Sequence, residues 1–329
     1  MLFDNHNRPL NYLRLAVTDR CNLRCFYCMP EAGIHYLPKK ELLTFEEIKR
    51  LVTVLAGLGI SKIRLTGGEP FVRTDLMKLV RSIREIPGIH EIHLTTNGVL
   101  TAPHIPQLKE LGIGSVNLSL DTLDRDRFKM ITRRDEFDKV METFHLLLEH
   151  QIPVKINAVV MEGKNEQDIL PLAELTRKHA VSVRFIEEMP FNGEGTHYPV
   201  LSWTHTRILE TLRANYPALQ RTIDPAYSTA AHYRIPGYSG DVGIIAAFSR
   251  TFCGTCNRIR LTAQGDLKTC LYDSGVLNMK ELLRSGWSDA DIASAFRGAF
   301  AQRPKDGFEA EAARLTGQPI HESMSTIGG

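Results

Sequence analysis

The six cysteines of this chain fall into two groups of three, Cys21, Cys25 and Cys28 near the start and Cys253, Cys256 and Cys270 far downstream. A structural zinc ion takes four protein ligands and an electron-transfer iron–sulfur cluster takes four thiolates. A triad therefore leaves one metal position for a group that is not protein. The fold has to bring two distant loops into place so that each presents three thiols around an open coordination site.

Three chemistries compete for such triads. Disulfides need an oxidising compartment, and the opening MLFDNHNRPL lacks the apolar segment of a secretory signal, so a reducing, cytoplasmic setting is expected. A Cys3His zinc site is a fair rival for the second triad, whose Cys253-x-x-Cys256 resembles half a zinc ribbon, although no histidine lies between His232 and His321. The C-x3-C-x2-C spacing of the first triad fits neither a zinc knuckle nor a C-x-x-C redox pair. Soft thiolates at that spacing suit an iron–sulfur cluster. On spacing alone the second triad stays open between iron and zinc.

The chain has 329 residues, 43% of them hydrophobic, enough for one large α/β barrel or two medium domains. Its longest nearly apolar run, Leu51 to Ile60, is too short to span a bilayer, so no membrane association is expected. Lys plus Arg number 40 against 38 for Asp plus Glu, without a block of like charge, which argues against a nucleic-acid partner. Any anion site must be local.

Short apolar strands near 13–18, 61–66, 91–96, 115–120, 153–160 and 181–187 alternate with amphipathic stretches near 44–57, 74–85, 103–111, 137–149 and 166–179. Consecutive βα units with a parallel sheet follow from that order. Thr44 and Glu47 spell a capping box, and Asp75 and Asn165 stand where N-caps are expected. After about residue 215 Pro and Gly become frequent; short antiparallel strands are expected there, with helices returning near 278–284 and 288–300. The expected fold is α/β: a partial (β/α)6 TIM-type barrel over 1–215, with an α+β extension over 216–329 closing its open side.

Within each early strand the polar residues share one parity, hence one face. Arg14 and Thr18 oppose Leu13, Leu15 and Val17; Lys62, Arg64 and Thr66 oppose Ile63 and Leu65; His93 and Thr95 oppose Ile92 and Leu94. Asn117 and Ser119, Lys155 and Asn157, and Arg184 continue the pattern. A parallel sheet covered on both faces would be apolar on both parities. A half-barrel with helices outside and a wet lumen carrying Arg14, Arg64, Lys155 and Arg184 explains the alternation. Buried cations want an anionic occupant, and a carboxylate and a polyphosphate are the expected ones. The first triad follows strand one, at the C-terminal rim where barrel enzymes keep their active sites. After strand two, Gly67-Gly68 lets backbone approach a ligand closely, and its N–H groups are candidates to bind a carboxylate.

The strings LRLAVTDRCNLRCFYCMP (13–30), KIRLTGGEP (62–70), LTTNG (94–98), VNLSLDTL (116–123) and FCGTCNRIRL (252–261), with the terminal Gly328-Gly329, resemble the radical S-adenosylmethionine superfamily and, within it, the GTP 3′,8-cyclase family. The resemblance runs over essentially the whole chain. It implies a lyase that uses two 4Fe–4S clusters and S-adenosylmethionine to convert GTP into a 3′,8-cyclo-7,8-dihydro derivative, the first step of molybdenum cofactor biosynthesis. Cys21, Cys25 and Cys28 would hold one cluster, and Cys253, Cys256 and Cys270 the other. Tyr27, Gly68, Ser119 and Met189 would contact S-adenosylmethionine, although Met189 on its own reads as a core filler. Arg14, Arg64, Thr95, Lys155, Arg258 and Arg260 would hold GTP, and the tail of Gly328 and Gly329 would reach into the active site and promote catalysis. Glu188 departs from the family pattern, which more often has an aromatic or apolar residue there.

An external one-electron donor of the flavodoxin or ferredoxin type and a downstream cyclic pyranopterin monophosphate synthase are the implied partners. A homodimer is compatible with the sequence without being required by it. Two other readings remain at this stage: a peptide-modifying radical enzyme with an auxiliary cluster, and a non-catalytic iron–sulfur or zinc regulator.

Overall fold

The computed structural model describes residues 2–191, 201–314 and 322–328. A short hairpin, β1 (Leu2–Phe3) and β2 (Pro9–Leu10), leads into six parallel strands: β3 (Tyr12–Ala16), β4 (Lys62–Thr66), β5 (Glu91–Thr96), β6 (Ser115–Ser119), β7 (Val154–Val160) and β8 (Ser182–Glu187). Between them run α1 (Phe45–Gly57), α2 (Leu76–Arg84), α3 (Ile105–Glu110), α4 (Arg125–Thr132), α5 (Phe137–Glu149) and α6 (Ile169–Lys178). The expected apolar parity packs under the helices: Leu13, Leu15, Ile63, Leu65, Ile92 and Leu94 join Ile48, Leu51 and Leu55 of α1 in one continuous core.

The C-terminal part begins with α7 (His205–Asn215) and supplies β9 (Gln220–Arg221), β10 (Ala231–Arg234), β11 (Asp241–Ile245), β12 (Arg258–Leu261), β13 (Asp266–Lys268) and β14 (Leu277–Asn278). It ends in α8 (Met279–Arg284), α9 (Asp289–Phe300), α10 (Gly307–Ala312) and α11 (Met324–Ile327). The strands pair antiparallel in two groups, as expected, but each group also adds one strand in parallel to the barrel. β11 joins β8 with Asp241 opposite Ser182, and β12 joins β3 with Arg258 opposite Tyr12. The result is one twelve-stranded sheet, β14-β13-β12-β3-β4-β5-β6-β7-β8-β11-β10-β9. Both edges of the half-barrel, which would otherwise expose unpaired N–H and C=O groups, are thus covered by the same chain.

Local chemistry agrees with the sequence in part. The Thr44–Glu47 capping box forms, with both reciprocal hydrogen bonds. Asp75 does not cap: it sits at φ 62° with no side-chain cap bond, and its carboxylate pairs with Lys78 at 3.1 Å. Asn165 points back at the barrel instead of forward at α6. Its Oδ1 accepts from Met161 N at 2.9 Å, and its Nδ2 donates to Asp121 O at 2.9 Å and Val159 O at 2.8 Å, tying the ends of β6 and β7 together. α4 and α7 were not anticipated. Both are capped by side chains in the preceding loop, Asp124 accepting from Arg127 N and Thr204 from Arg207 N. No described helix is long and apolar enough to cross a membrane.

Glu187, at the end of β8, is fully buried. Its carboxylate accepts from His205 N at 2.7 Å, His205 Nδ1 at 2.8 Å, Ser249 N at 2.7 Å and Ser249 Oγ at 2.8 Å. One acid therefore joins the last barrel strand to α7 and to the segment that leads into the second cysteine loop. Glu187→Ala would leave those donors buried without an acceptor. Chemical denaturation should show a loss of about 2–4 kcal/mol; a loss below about 1 kcal/mol would show that the hub is dispensable.

Candidate active site

The first cysteine loop is positioned from three sides. From beneath, Gly67 and Gly68 lie so close that an added Cβ would sit 2.3 Å from Thr18 O and 2.3 Å from Arg20 O respectively. Gly68 N donates to Thr18 O at 3.0 Å and Glu69 N to Arg20 O at 2.8 Å. Of the two amides expected to bind a carboxylate, that of Gly68 is thus spent on the loop itself, and the glycines serve the contact between two backbones. On the flank, Glu69 is fully buried and accepts from Thr96 Oγ1 at 2.8 Å, Asn97 N at 2.7 Å and Phe71 N at 3.1 Å. Asn97 Nδ2 in turn donates to Asn22 Oδ1 at 2.8 Å and approaches Cys21 Sγ at 3.6 Å. From above, Arg24 N and Phe26 N donate to Thr132 O and Ile131 O at the end of α4.

These thiols sit in a buried, acidic neighbourhood. Burial, then Glu69 and Cys28, push Cys21 up to about 12. Cys25 and Cys28 are also pushed up, burial again leading. Tyr27 Oη donates to Asp121 Oδ2 at 2.8 Å, and Asp121 Oδ1 accepts from Val159 N at 2.8 Å. Burial raises Asp121 to about 6 despite these donors.

The second triad lies on the other side of the lumen, at a cavity of about 340 Å³ that all three of its cysteines line. Cys253 opens a 3₁₀ turn, and Cys256 N closes it on Cys253 O at 3.1 Å. Cys270 N is held by Asp273 Oδ2 at 2.7 Å. Burial pushes Cys270 up to about 11. Cys256 goes the other way: burial raises it, but Arg258 and Arg303 outweigh burial and bring it down to about 7.

The cavity is strongly cationic. Among the described residues, ten basic side chains line it against one carboxylate, Asp306. Arg8, Lys62, Arg250 and Arg303 have acidic partners. Arg14, Arg64, Lys155, Arg184, Arg258 and Arg260 complete the set. Strand register explains the crowding: Arg260, Arg14 and Arg64 stand side by side across β12, β3 and β4, and Lys155 and Arg184 follow on β7 and β8. Burial first, then mutual repulsion, lowers Arg14, takes Arg260 and Arg184 to about 10, and takes Lys155 to about 8. Several polar atoms facing the lumen are buried without a partner: Asn117 Oδ1, Asn157 Oδ1, Arg184 Nε, and Arg258 Nε and Nη2.

Segment 322–328 runs between the two triads. Ser323 Oγ donates to Cys28 O at 2.7 Å and lies 3.9 Å from Cys28 Sγ, while Met324 lines the cavity of the second triad. Gly328 packs on Ala16 and Thr66 at φ 78°, and its carbonyl accepts from Arg260 Nη1 at 2.6 Å. A Cβ there would meet Thr66 Cγ2 at 2.9 Å. Gly329 lies outside the described residues.

Of the residues singled out in the sequence, Arg14, Arg64, Lys155, Arg258, Arg260, Met189 and the second triad share the cavity. Thr95, Ser119, Tyr27, Gly68 and the first triad do not line it. Thr95 Oγ1 is buried without a partner. Tyr12 was missed, although it shares the parity of Arg14, because the strand starts one residue earlier than expected. Arg64 Nε donates to Tyr12 Oη at 2.6 Å. Burial raises this phenol, but Arg64 and Arg14 more than offset it and bring it to about 7.

Among the described residues no three Cys, His, Asp or Glu side chains converge on a single ion, so the fit of a metal group rests on donor chemistry. Three half-buried soft thiols per loop fit an iron–sulfur cluster, whose charge would deprotonate them. The partnerless amide oxygens and guanidinium nitrogens fit a polar, anionic ligand in the lumen.

Comparisons with known proteins agree with this geometry. The profile described as "Radical SAM superfamily" matches residues 15–176, and "Molybdenum Cofactor Synthesis C" matches 181–309. The solved structure of SuiB from Streptococcus suis shares the fold, with a TM-score of 0.59 at 15% identity over 89% of this chain and 69% of that one. Fold and first cysteine loop define a radical S-adenosylmethionine protein, a class that uses one 4Fe–4S cluster with S-adenosylmethionine. A protein of Moorella thermoacetica named GTP 3′,8-cyclase is 43% identical over 331 residues, covering 99% of both chains. This chain belongs to the GTP 3′,8-cyclase family. Human molybdenum cofactor biosynthesis protein 1 is 41% identical over 92% of this chain, which spans about half (48%) of that protein's length.

Two outcomes follow. Gly68→Ala forces a methyl group into the Arg20 carbonyl, so the variant should fail to take up a cluster on the first triad; normal uptake there would contradict the backbone contact. Tyr12 should ionise near pH 7 in ligand-free protein, giving a tyrosinate absorbance that Tyr12→Phe abolishes. Between pH 7 and about 10 the unfolded phenol keeps a proton that the folded one has shed, so this group makes stability rise with pH across that window. The Phe variant should lose that slope.

Proposed function

We propose that the chain converts GTP into (8S)-3′,8-cyclo-7,8-dihydroguanosine 5′-triphosphate, the first step of molybdenum cofactor biosynthesis. The observation that carries this reading is the cavity beside the second triad, lined among the described residues by ten basic side chains and one carboxylate. Only a compact polyanion matches that charge, and a triphosphate offers enough oxygens for several guanidinium forks.

In this reading Arg14, Arg64, Lys155, Arg258 and Arg260 grip the phosphates, with Arg184 beside them. Cys253, Cys256 and Cys270, which line the cavity, would hold a second 4Fe–4S cluster whose open position could take up a substrate group. Cys21, Cys25 and Cys28 hold the first, with Tyr27, Gly68, Ser119 and Met189 around S-adenosylmethionine and Thr95 near the substrate. When bound and reduced, the first cluster and S-adenosylmethionine supply a 5′-deoxyadenosyl radical that removes hydrogen from C3′ of the ribose. The protein fixes the ribose so that C3′ lies within bonding reach of C8, and keeps water out.

Segment 322–328 supports a role for the tail: Gly328 accepts from Arg260, a substrate residue, and Ser323 touches Cys28, a first-cluster residue. The division of labour places the first cluster on 1–215 and the second cluster and tail on 216–329. An external one-electron donor of flavodoxin or ferredoxin type, a downstream enzyme that consumes the cyclic nucleotide, and a cytoplasmic setting complete the reading. The cationic lumen disfavours a peptide substrate.

Anaerobically reconstituted protein given GTP, S-adenosylmethionine and a reductant should release 5′-deoxyadenosine together with a GTP-derived cyclic product; 5′-deoxyadenosine without that product would refute the substrate assignment. Arg64→Ala should weaken GTP binding about 10-fold or more while leaving S-adenosylmethionine binding within about 2-fold. Equal loss for both ligands would remove Arg64 from the phosphate site.

A further inference from the structure

The N-terminal turn 4–8, which the sequence presents only as a polar leader, is built into the second cysteine site. Asp4 has a fully buried side chain. Its Oδ1 accepts from His6 N and Arg8 N, both at 2.9 Å, and its Oδ2 accepts from Arg8 Nε at 2.7 Å and Arg303 Nη1 at 2.8 Å. The two arginines then reach all three parts of the triad's backbone. Arg8 Nη1 donates to Cys253 O at 3.2 Å, Arg303 Nη1 to Cys256 O at 3.2 Å, and Arg303 Nε to Thr269 O, the carbonyl preceding Cys270, at 3.0 Å. Arg303 Nη2 donates to Arg258 O at 3.0 Å and lies 3.9 Å from Cys256 Sγ. Asn5 fixes the strap to the backbone of Arg303 in both directions, at 3.1 Å each way.

We infer that Asp4, Arg8 and Arg303 are positioning residues for the second cluster: the acid orients two guanidinium forks that hold the three cysteine segments in register, and Arg303 tunes the cluster through Cys256 Sγ. The inference rests on the proposed second 4Fe–4S cluster. Outer-shell groups that orient ligands typically change metal retention by about 10–100-fold when removed. A hydrogen bond and a positive charge at a ligating sulfur favour the reduced state, so Arg303 raises the reduction potential of this cluster relative to a neutral residue. The aligned fork, not charge alone, serves retention, because a lysine cannot donate to several separate carbonyls from one planar group.

The test uses the full chain carrying both clusters, with the first cluster as internal control. Arg303→Met should lose second-cluster iron to a chelator about 10-fold faster than the parent and show a more negative midpoint for that cluster by spectroscopic redox titration. Arg303→Lys should restore most of the midpoint but not the retention. Asp4→Asn, nearly isosteric, should speed iron loss in the same direction and serves if Arg303→Met does not fold. Unchanged retention and midpoint in Asp4→Asn and in whichever Arg303 variants fold would overturn the inference. Equal loss from both clusters would do the same, since it would mark general destabilisation. Iron for only one cluster in the unmodified protein would overturn the second-cluster reading, and this inference with it, visibly before any variant is compared.

Discussion

Repulsion among clustered, mostly half-buried cations is the constraint on which the rest of the structure depends. Placing Arg14, Arg64, Lys155, Arg184, Arg258 and Arg260 round one lumen sets like charges against one another in a partly desolvated space. Such an arrangement persists only on a stiff frame. The frame here is a sheet in which β11 and β12 cover both edges of a six-stranded half-barrel, so that cations on five of the eight parallel strands are held by main-chain hydrogen bonds and by an apolar core on the far side. The lumen is therefore preorganised for a polyanion: the charge repulsion is met during folding and relieved on binding.

The two cysteine loops answer different electrostatic demands. The first is surrounded by Glu69 and Asp121, and its three thiols are held protonated until a metal group binds. The second faces Arg258 and Arg303, and Cys256 is drawn toward ionisation. Under the proposed function, this polarity suits a cationic sulfonium at the first loop and an anionic nucleotide at the second. Segment 322–328 is the physical link between them, with Ser323 on the first loop, Met324 in the cavity and Gly328 on Arg260. The positive φ at Gly328 and the 2.9 Å approach to Thr66 explain why glycine is required there.

Much of this was legible in the chain because periodicity two is strict: Arg14, Arg64, Lys155 and Arg184 could be placed in the lumen from parity, and all four line the cavity. Motif strings identified the family. What stayed hidden were interactions without a sequence period. The amides of Gly68 and Glu69 look available for a ligand until Thr18 O and Arg20 O are seen to take them. Asp75 and Asn165 have cap-forming side chains, yet tertiary contacts claimed the second and a left-handed backbone excluded the first. Glu187, Asp4 and Arg303 are ordinary charged letters whose partners lie far away in sequence. Tyr12 escaped because a strand boundary misplaced by one residue hides its parity.

Equilibrium competition between GTP and inorganic tripolyphosphate tests the central claim most directly, because it isolates the charge match from the radical chemistry. The account predicts that tripolyphosphate displaces GTP competitively, and that both affinities fall steeply with added salt. GTP binding that tripolyphosphate cannot displace, or that salt leaves unchanged, would contradict the claim that the cationic lumen is the nucleotide site.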